Sequence, residues 1–202
     1  MCRHMWDQRY SEPGYAYGSE PNEYLATQVA QLPKGRALCL AEGQGRNAVF
    51  LATQGFDVTA VDQSRVGLES AQAFATERGV RIVTEVADLN DYDLGQDSWS
   101  AIISIWAHVP PDVRGRLHSA CVRALAPGGV LLLEAYTPAQ VGRGTGGPPD
   151  PALCMTLEAL RDELQGLEFL QAQETERDVA EGRYHQGRSA VVQVLARKPV
   201  AT

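Results

Sequence analysis

The chain has 202 residues, 44% of them hydrophobic and 21% charged, a composition that supports one soluble domain with a core of its own. Its formal net charge of −7, with only two lysines among eighteen basic residues, argues against the broad basic surface that nucleic acid or an anionic membrane requires. No apolar run approaches the roughly 18 residues of a membrane helix and no leader-like segment opens the sequence, so a cytoplasmic protein is expected.

The four cysteines, Cys2, Cys39, Cys121 and Cys154, are far apart, with no Cys-x-x-Cys and no histidine at ligand spacing. They read as free thiols of a reducing compartment, and no metal site is expected. Residues 1–19 follow no helical or strand period, yet hold Trp6, Tyr10, Tyr15 and Tyr17. Disordered arms are usually poor in aromatics. This arm is therefore expected to pack on the domain at 20–199, either as a cover for an apolar face or as a lid over a ligand. A helix then opens around Pro21-Asn22, with Tyr24, Leu25, Val29 and Leu32 on its apolar face, and ends at Pro33-Lys34-Gly35.

Residues Ala37 to Ala41 form an apolar run that reads as a strand buried on both faces. Glu42 and then Gly43-Gln44-Gly45 follow, and a helical pattern begins at Arg46. Strand, glycine loop and helix N-terminus together offer free backbone N–H groups to a polar ligand. Gly43-x-Gly45-x-x-Ala48 fits the dinucleotide fingerprint, and equally the glycine loop of S-adenosylmethionine (SAM) binders. Glu42 favours the second: a carboxylate there repels a pyrophosphate but pairs with the ammonium of a methionine moiety. Phe56 to Val61 is a second strand closed by Asp62, twenty residues after Glu42, where an acid takes ribose hydroxyls in a βαβ unit. The competing role for Asp62 is a helix N-cap, which Ser64 can also supply.

A helix over Ser64 to Arg78 leads to a third strand, Val80 to Val86, with Asp88-Leu89 after it. The fourth strand, Trp99 to Ile105, runs into Trp106-Ala107-His108, and a helix follows from Asp112 to Leu125. Pro127-Gly128-Gly129 turns into the most apolar strand, Val130 to Tyr136, and a long Pro- and Gly-rich loop occupies 137–151. Its Gly142 to Gly147 segment is not a phosphate loop, since it lacks Gly-Lys-Ser/Thr and does not join a strand to a helix. A short helix from Thr156 to Leu164 precedes two strands, about Leu167–Asp178 and Arg188–Ala196, around a turn that holds His185. The order predicts an α/β, Rossmann-like doubly wound sheet of seven mostly parallel strands, with an antiparallel C-terminal hairpin strand and helices on both faces.

Glu42-Gly43-x-Gly45, Asp62, Asp88, the Ile102 to His108 segment and Leu125-Ala-Pro-Gly-Gly129 occur in the order that resembles class I SAM-dependent methyltransferases. Cys39-Leu-Ala-Glu-Gly-Gln-Gly-Arg-Asn47, Val61-Asp-Gln-Ser64 and Ile-Ser-Ile-Trp-Ala-His-Val-Pro are similar to the small bacterial branch of tellurite-resistance and thiopurine methyltransferases. The resemblance implies SAM as cofactor, with S-adenosylhomocysteine as its product. It places Glu42 by the methionine ammonium, and Gly43, Gly45, Arg46 and Asn47 along the cofactor. Asp62 would hold the ribose hydroxyls, Gln63 and Ser64 lie beside the adenosine, Asp88 and Leu89 meet the adenine, and Ile105 and Trp106 line the methionine side.

An acceptor of small-molecule type is implied, with a thiol or chalcogen (S, Se or Te) as the first class. No Asn/Asp-Pro-Pro-Tyr-type motif follows the fourth strand, which counts against amino groups of nucleic acids or proteins. His108, just past a strand's C-terminal end, is the candidate general base or acceptor contact, with a loop histidine bonded to a backbone carbonyl as the competing reading. Tyr15, Tyr17, Tyr136, Arg143 and His185 are candidate acceptor contacts. Two other functions fit parts of the pattern: an NAD(P)-dependent reductase, disfavoured by Glu42 and by the absence of Tyr-x-x-x-Lys, and a non-catalytic SAM-binding protein. A monomer or weak homodimer is expected.

Overall fold

The computed structural model describes residues 3–200, so the expected thiol of Cys2 lies outside the described residues. The strands are β1 Arg36–Leu40, β2 Asp57–Asp62, β3 Val83–Val86, β4 Trp99–Ile105, β5 Leu125–Tyr136, β6 Glu168–Glu181 and β7 His185–Arg197. The helices are α1 Arg3–Tyr10, α2 Glu23–Gln28, α3 Arg46–Thr53, α4 Arg65–Glu77, α5 Pro111–Ala124 and α6 Leu157–Glu163. One sheet has the order β3-β2-β1-β4-β5-β7-β6. The first five strands pair in parallel, and β7 lies antiparallel between β5 and β6. This is the predicted architecture.

The two-residue period of the central strands accounts for the layering. Ala37 and Cys39 of β1, Ala101 and Ile103 of β4, and Val130 and Leu132 of β5 face one core, shared with α2, α3 and α4. Leu38 and Leu40, Ile102, and Leu131 and Leu133 face the other, shared with α5 and α6. Both faces are buried, so these strands are continuously apolar in sequence. The strand order reverses between β1 and β4, and a ligand site is expected outside the carboxyl ends of those strands.

Three local expectations need correction. The arm is partly helical: α1 covers Arg3–Tyr10, with Trp6 and Tyr10 one turn apart on a shared face, ring centroids 5.8 Å apart. The third strand begins at Val83, because Ile82 turns into the core beside α4 with Val80 packed against it. The hairpin strands are longer than predicted, so only residues 182–184 separate them and buried His185 is the first residue of β7. The Ser64 hydroxyl does cap α4, accepting from the Gly67 N–H at 3.1 Å.

Side-chain and backbone contacts both hold the arm on the domain. The Gln44 side chain accepts from the Ala16 N–H at 2.8 Å, and the Arg183 N–H donates to the Ala16 carbonyl at 2.9 Å. At Gly182 a Cβ would come within 2.4 Å of the Tyr17 carbonyl carbon, so only glycine lets the hairpin turn pass this close to the arm. Tyr10 sits against Gly43 and Gly67 in the same way, and a Cβ on Gly67 would meet its ring at 2.8 Å. Gly67→Ala is therefore expected to push Tyr10 outward and to speed amide hydrogen exchange in α1 about tenfold or more, even though alanine favours the α4 helix itself. Unchanged exchange in α1 would contradict this packing account.

Candidate active site

At the end of β1 the backbone enters the left-handed region at Ala41 (φ 50°), Gly43 (φ 60°) and Gly45 (φ 87°). Gly45 occupies the N-cap of α3 with no side chain to cap it, and Glu42 supplies the acceptor instead. Its Oε1 accepts from the N–H groups of Asn47 (2.9 Å) and Ala48 (2.8 Å). Both donors reach one oxygen, so the carboxylate keeps acceptor capacity on the cavity it lines. Burial pushes Glu42 up to about 7, against the lowering effect of the two amides and Arg46.

Asp62, at the end of β2, is also buried, and burial raises it to about 6. Its two oxygens accept from the Gly43 N–H (2.9 Å) and the Ser64 N–H (2.8 Å), which fixes the carboxylate in orientation and leaves a lone pair on each. The two acids thus stand at the ends of adjacent strands, joined through the glycine loop.

Three adjoining cavities meet at Trp6, which lines all of them. The first is bordered by Glu42, Gly45, Arg46, Asn47, Ile105 and Trp106. The second, of about 210 Å³, is bordered by Asp62, Gln63, Asp88 and Leu89, together with Ala107 and His108. The third, of about 660 Å³, lies under the 142–149 loop and reaches Arg9, Tyr17, His108, Tyr184 and His185. Tyr17 and His185 stand on the wall between the first and third cavities.

The expected cofactor residues are thus gathered into two connected cavities, with two exceptions. Gly43 lies beneath Tyr10 and contributes its N–H to Asp62. Ser64 is fully buried and occupied by the cap of α4 and by Asp7 at 2.6 Å, so a direct contact with adenosine is not formed by it. A cofactor with an amino-acid end and a nucleoside end fits this pair of cavities: Glu42 faces the first, Asp62 and Asp88 the second, and buried Arg46 stands beside the first as a partner for a ligand carboxylate.

The acceptor-side expectations divide. Tyr17 and His185 line the large cavity. Tyr15 does not; its ring packs on Phe74 with centroids 5.0 Å apart. Arg143 does not either, because its guanidinium pairs with Glu176 at 2.6 Å and donates to the Ala139 carbonyl on the outer surface. Tyr136 is fully buried, stacked behind Trp106 with centroids 4.3 Å apart, and supports the wall at one remove. His108 is corrected as a general base. Its Nδ1 donates to the Leu153 carbonyl at 2.9 Å and its Nε2 accepts from the Tyr136 N–H at 3.3 Å, leaving neither nitrogen free. Burial also lowers it to about 4, so the ring is neutral and weakly basic. His185 is lowered to about 3, first by burial, with Arg46 reinforcing and Glu181 opposing.

Below these cavities lies an ion cluster that the linear sequence does not announce. Glu181, near the end of β6, accepts from Arg46 (2.5 Å) and the Trp106 indole N–H (2.7 Å) on one oxygen, and from Asn22 (2.9 Å) and Arg177 (2.8 Å) on the other. Burial alone would raise its pKa, but Arg46, Arg177 and Trp106 hold it well below the ordinary carboxylate range. Glu134 on β5 is fully buried and receives two bonds from Arg177 (2.8 and 2.7 Å) and one each from Asn22 (2.6 Å) and Gln193 (2.7 Å). Through Glu181 the cluster fixes both Arg46 on the cofactor side and Trp106, a non-glycine residue at φ 56°. Sequence reading missed it because its members come from α2's cap, α3 and three strands.

Among the described residues no helix is long and apolar enough to cross a membrane. Residues 37–129 match the family described as methyltransferase domain. The 2-heptyl-1-hydroxyquinolin-4(1H)-one methyltransferase of Mycobacteroides abscessus is 25% identical over 145 residues, 70% of this chain and 64% of that protein. The chain spans about half to two-thirds of the length of the curated relatives it matches. A solved structure described by the conversion of a disulfide bond into a thioacetal group during echinomycin biosynthesis aligns with TM-score 0.72 and 24% identity, over 95% of this chain and 86% of that one. TehB from Haemophilus influenzae aligns with TM-score 0.72 and 19% identity, over 86% and 61%. Residues 37–129 are thus similar to a methyltransferase domain, and the sheet has the fold of these solved structures.

Proposed function

We propose that the protein transfers a methyl group from SAM to a small-molecule acceptor that arrives already ionised, a thiol or other chalcogen being the class it suits best. The observation that carries this reading is the absence of an available strong base beside the acceptor cavity among the described residues. His108 has both nitrogens committed to backbone groups, and His185 is held at low basicity. An ordinary alcohol or ammonium needs such a base, whereas a thiolate or selenolate forms in water near neutral pH.

When bound, SAM supplies a methyl group activated by its sulfonium. The chain's own residues do the rest by binding and orientation. Glu42 and Arg46 would hold the amino-acid end, and Asp62 the ribose. Trp6 and Tyr10 lie over both cofactor cavities and Tyr17 over the first, and together they exclude water from the junction with the acceptor cavity. The arm at 1–19 thus acts as a lid on the domain at 20–199. The buried free thiols of Cys39, Cys121 and Cys154 suit a cytoplasmic setting.

A second acceptor class is an acidic hydroxyl, favoured by the likeness to a hydroxyquinolone methyltransferase. Both classes share one consequence: the acidic limb of the pH–rate profile should follow the acceptor. With SAM held saturating at every pH, mass-spectrometric assay of methyl transfer to aryl thiols of graded acidity is expected to show the limb moving with each thiol's own pKa. A limb fixed at one pH for every acceptor would point to a protein base and sink the proposal.

A further inference from the structure

The arginines around the active site are not equivalent. Arg46 is paired with Glu181, Arg177 with Glu134 and Glu181, and Arg183 with Glu12 at 3.0 Å. Arg9, on the last turn of α1, makes no ion pair among the described residues. Its guanidinium donates to the Tyr17 hydroxyl at 2.8 Å, and lies over the ring of Tyr184 at 4.4 Å and that of Trp6 at 5.2 Å. Among the described residues one of its five N–H donors is used, and the group lines the large cavity. Stacking on two rings also weakens its contact with water while leaving the outer edge of the fork free to meet an anion.

Two further features concern size and placement. A cavity of about 660 Å³ with aromatic walls far exceeds what a small inorganic oxyanion fills, and matches a ring-bearing organic molecule. On the wall shared with the first cavity, the buried His185 ring contacts Tyr17 (4.6 Å), Trp106 (5.1 Å) and Tyr136 (5.3 Å) by centroid. Its Nδ1 is buried and has no hydrogen-bond partner among the described residues. Such an atom costs free energy until something polar meets it.

We infer that the acceptor is a ring-bearing organic anion whose charge is read by Arg9, with its reacting end directed toward His185. This rests on the methyl-transfer reading above. Arg9 is then a specificity residue supplied by α1: the segment that covers the cofactor cavities also selects the acceptor's charge. Because the cofactor carries a sulfonium, an anion is the acceptor charge that such a site tolerates best.

The test is calorimetric binding of product-like probes to the S-adenosylhomocysteine complex, comparing 4-(methylthio)benzoate, its neutral amide and tellurite. The carboxylate is expected to bind about tenfold or more tightly than the amide, with a preference that shrinks as salt is raised. Arg9→Gln should erase that preference and Arg9→Lys should keep part of it, while S-adenosylhomocysteine binds both variants as it binds the wild type. Equal binding of carboxylate and amide, a preference that survives in Arg9→Gln, binding of tellurite alone, or binding of none of the three overturns the inference. The wild-type comparison and its salt dependence decide the matter even if Arg9→Gln fails to fold. Failure of the wild type to bind S-adenosylhomocysteine would instead overturn the parent reading.

Discussion

Glu181→Ala is expected to lower the melting temperature by about 6–20 °C, the consequence of a loss of roughly 3–5 kcal/mol in a chain of this size. The carboxylate receives four donors in a buried setting, so its removal strands the Arg46 guanidinium and the Trp106 indole N–H and leaves one N–H of Arg177 unpaired. Paired, the cluster adds little net stability over an apolar core; broken, it leaves buried charge without a counter-ion. Glu181→Gln keeps the shape and an acceptor oxygen and should lose less. Cofactor affinity should fall with both variants, because Arg46 and Trp106 border the first cavity. A thermal shift below about 2 °C for Glu181→Ala would show that the cluster relaxes into water.

The second large effect concerns Glu42. Burial lifts its pKa to about 7, so near neutral pH the acid is about half protonated in the free protein. A ligand ammonium favours the ionised form. Affinity for S-adenosylhomocysteine should therefore be full above pH 7 and weaken as pH falls through that value, by up to about tenfold per unit. The free protein behaves with the opposite sign. A carboxyl raised in the folded state contributes stability that is present below its unfolded value of about 4.3 and lost as pH rises through 7. The thermal stabilisation conferred by the ligand should thus grow from pH 6 to pH 8. Glu42→Gln removes the charge and should weaken binding about 10- to 100-fold at pH 8 while flattening the pH dependence. A residual slope from Asp62, raised to about 6, should remain at lower pH. Binding of S-adenosylhomocysteine that is equally tight at pH 6 and pH 8 would refute the assignment of Glu42 to the ligand ammonium.

The cofactor half was legible because its signals are local. An apolar run closing on Glu42 and two glycines, and a second closing on Asp62, suffice to place two acids at adjacent strand ends, and the structure has them there. The acceptor half is assembled from separate segments. Tyr15 and Tyr17 look alike in sequence, yet the chain turns between them, so one packs on Phe74 and the other lines the cavity. Arg143 sits in a glycine-rich loop that covers the cavity, but Glu176 on β6 draws it outward. His108 occupies the expected strand end, and the backbone of Leu153 and Tyr136 takes both its nitrogens. The helix α1 was not predicted: Trp6 and Tyr10 stand one turn apart, but a single pair makes no helical period in sequence. Arg9 carried no sequence signal, because its meaning lies in having no carboxylate partner among the described residues.

The most direct test of the central claim is titration of the purified protein with S-adenosylhomocysteine and, separately, with NADH, by calorimetry at pH 8. The account predicts micromolar binding of S-adenosylhomocysteine, a fall of about 100-fold or more in Asp62→Ala, and no binding of NADH. Binding of NADH without S-adenosylhomocysteine would contradict the reading of the glycine loop and of everything built on it.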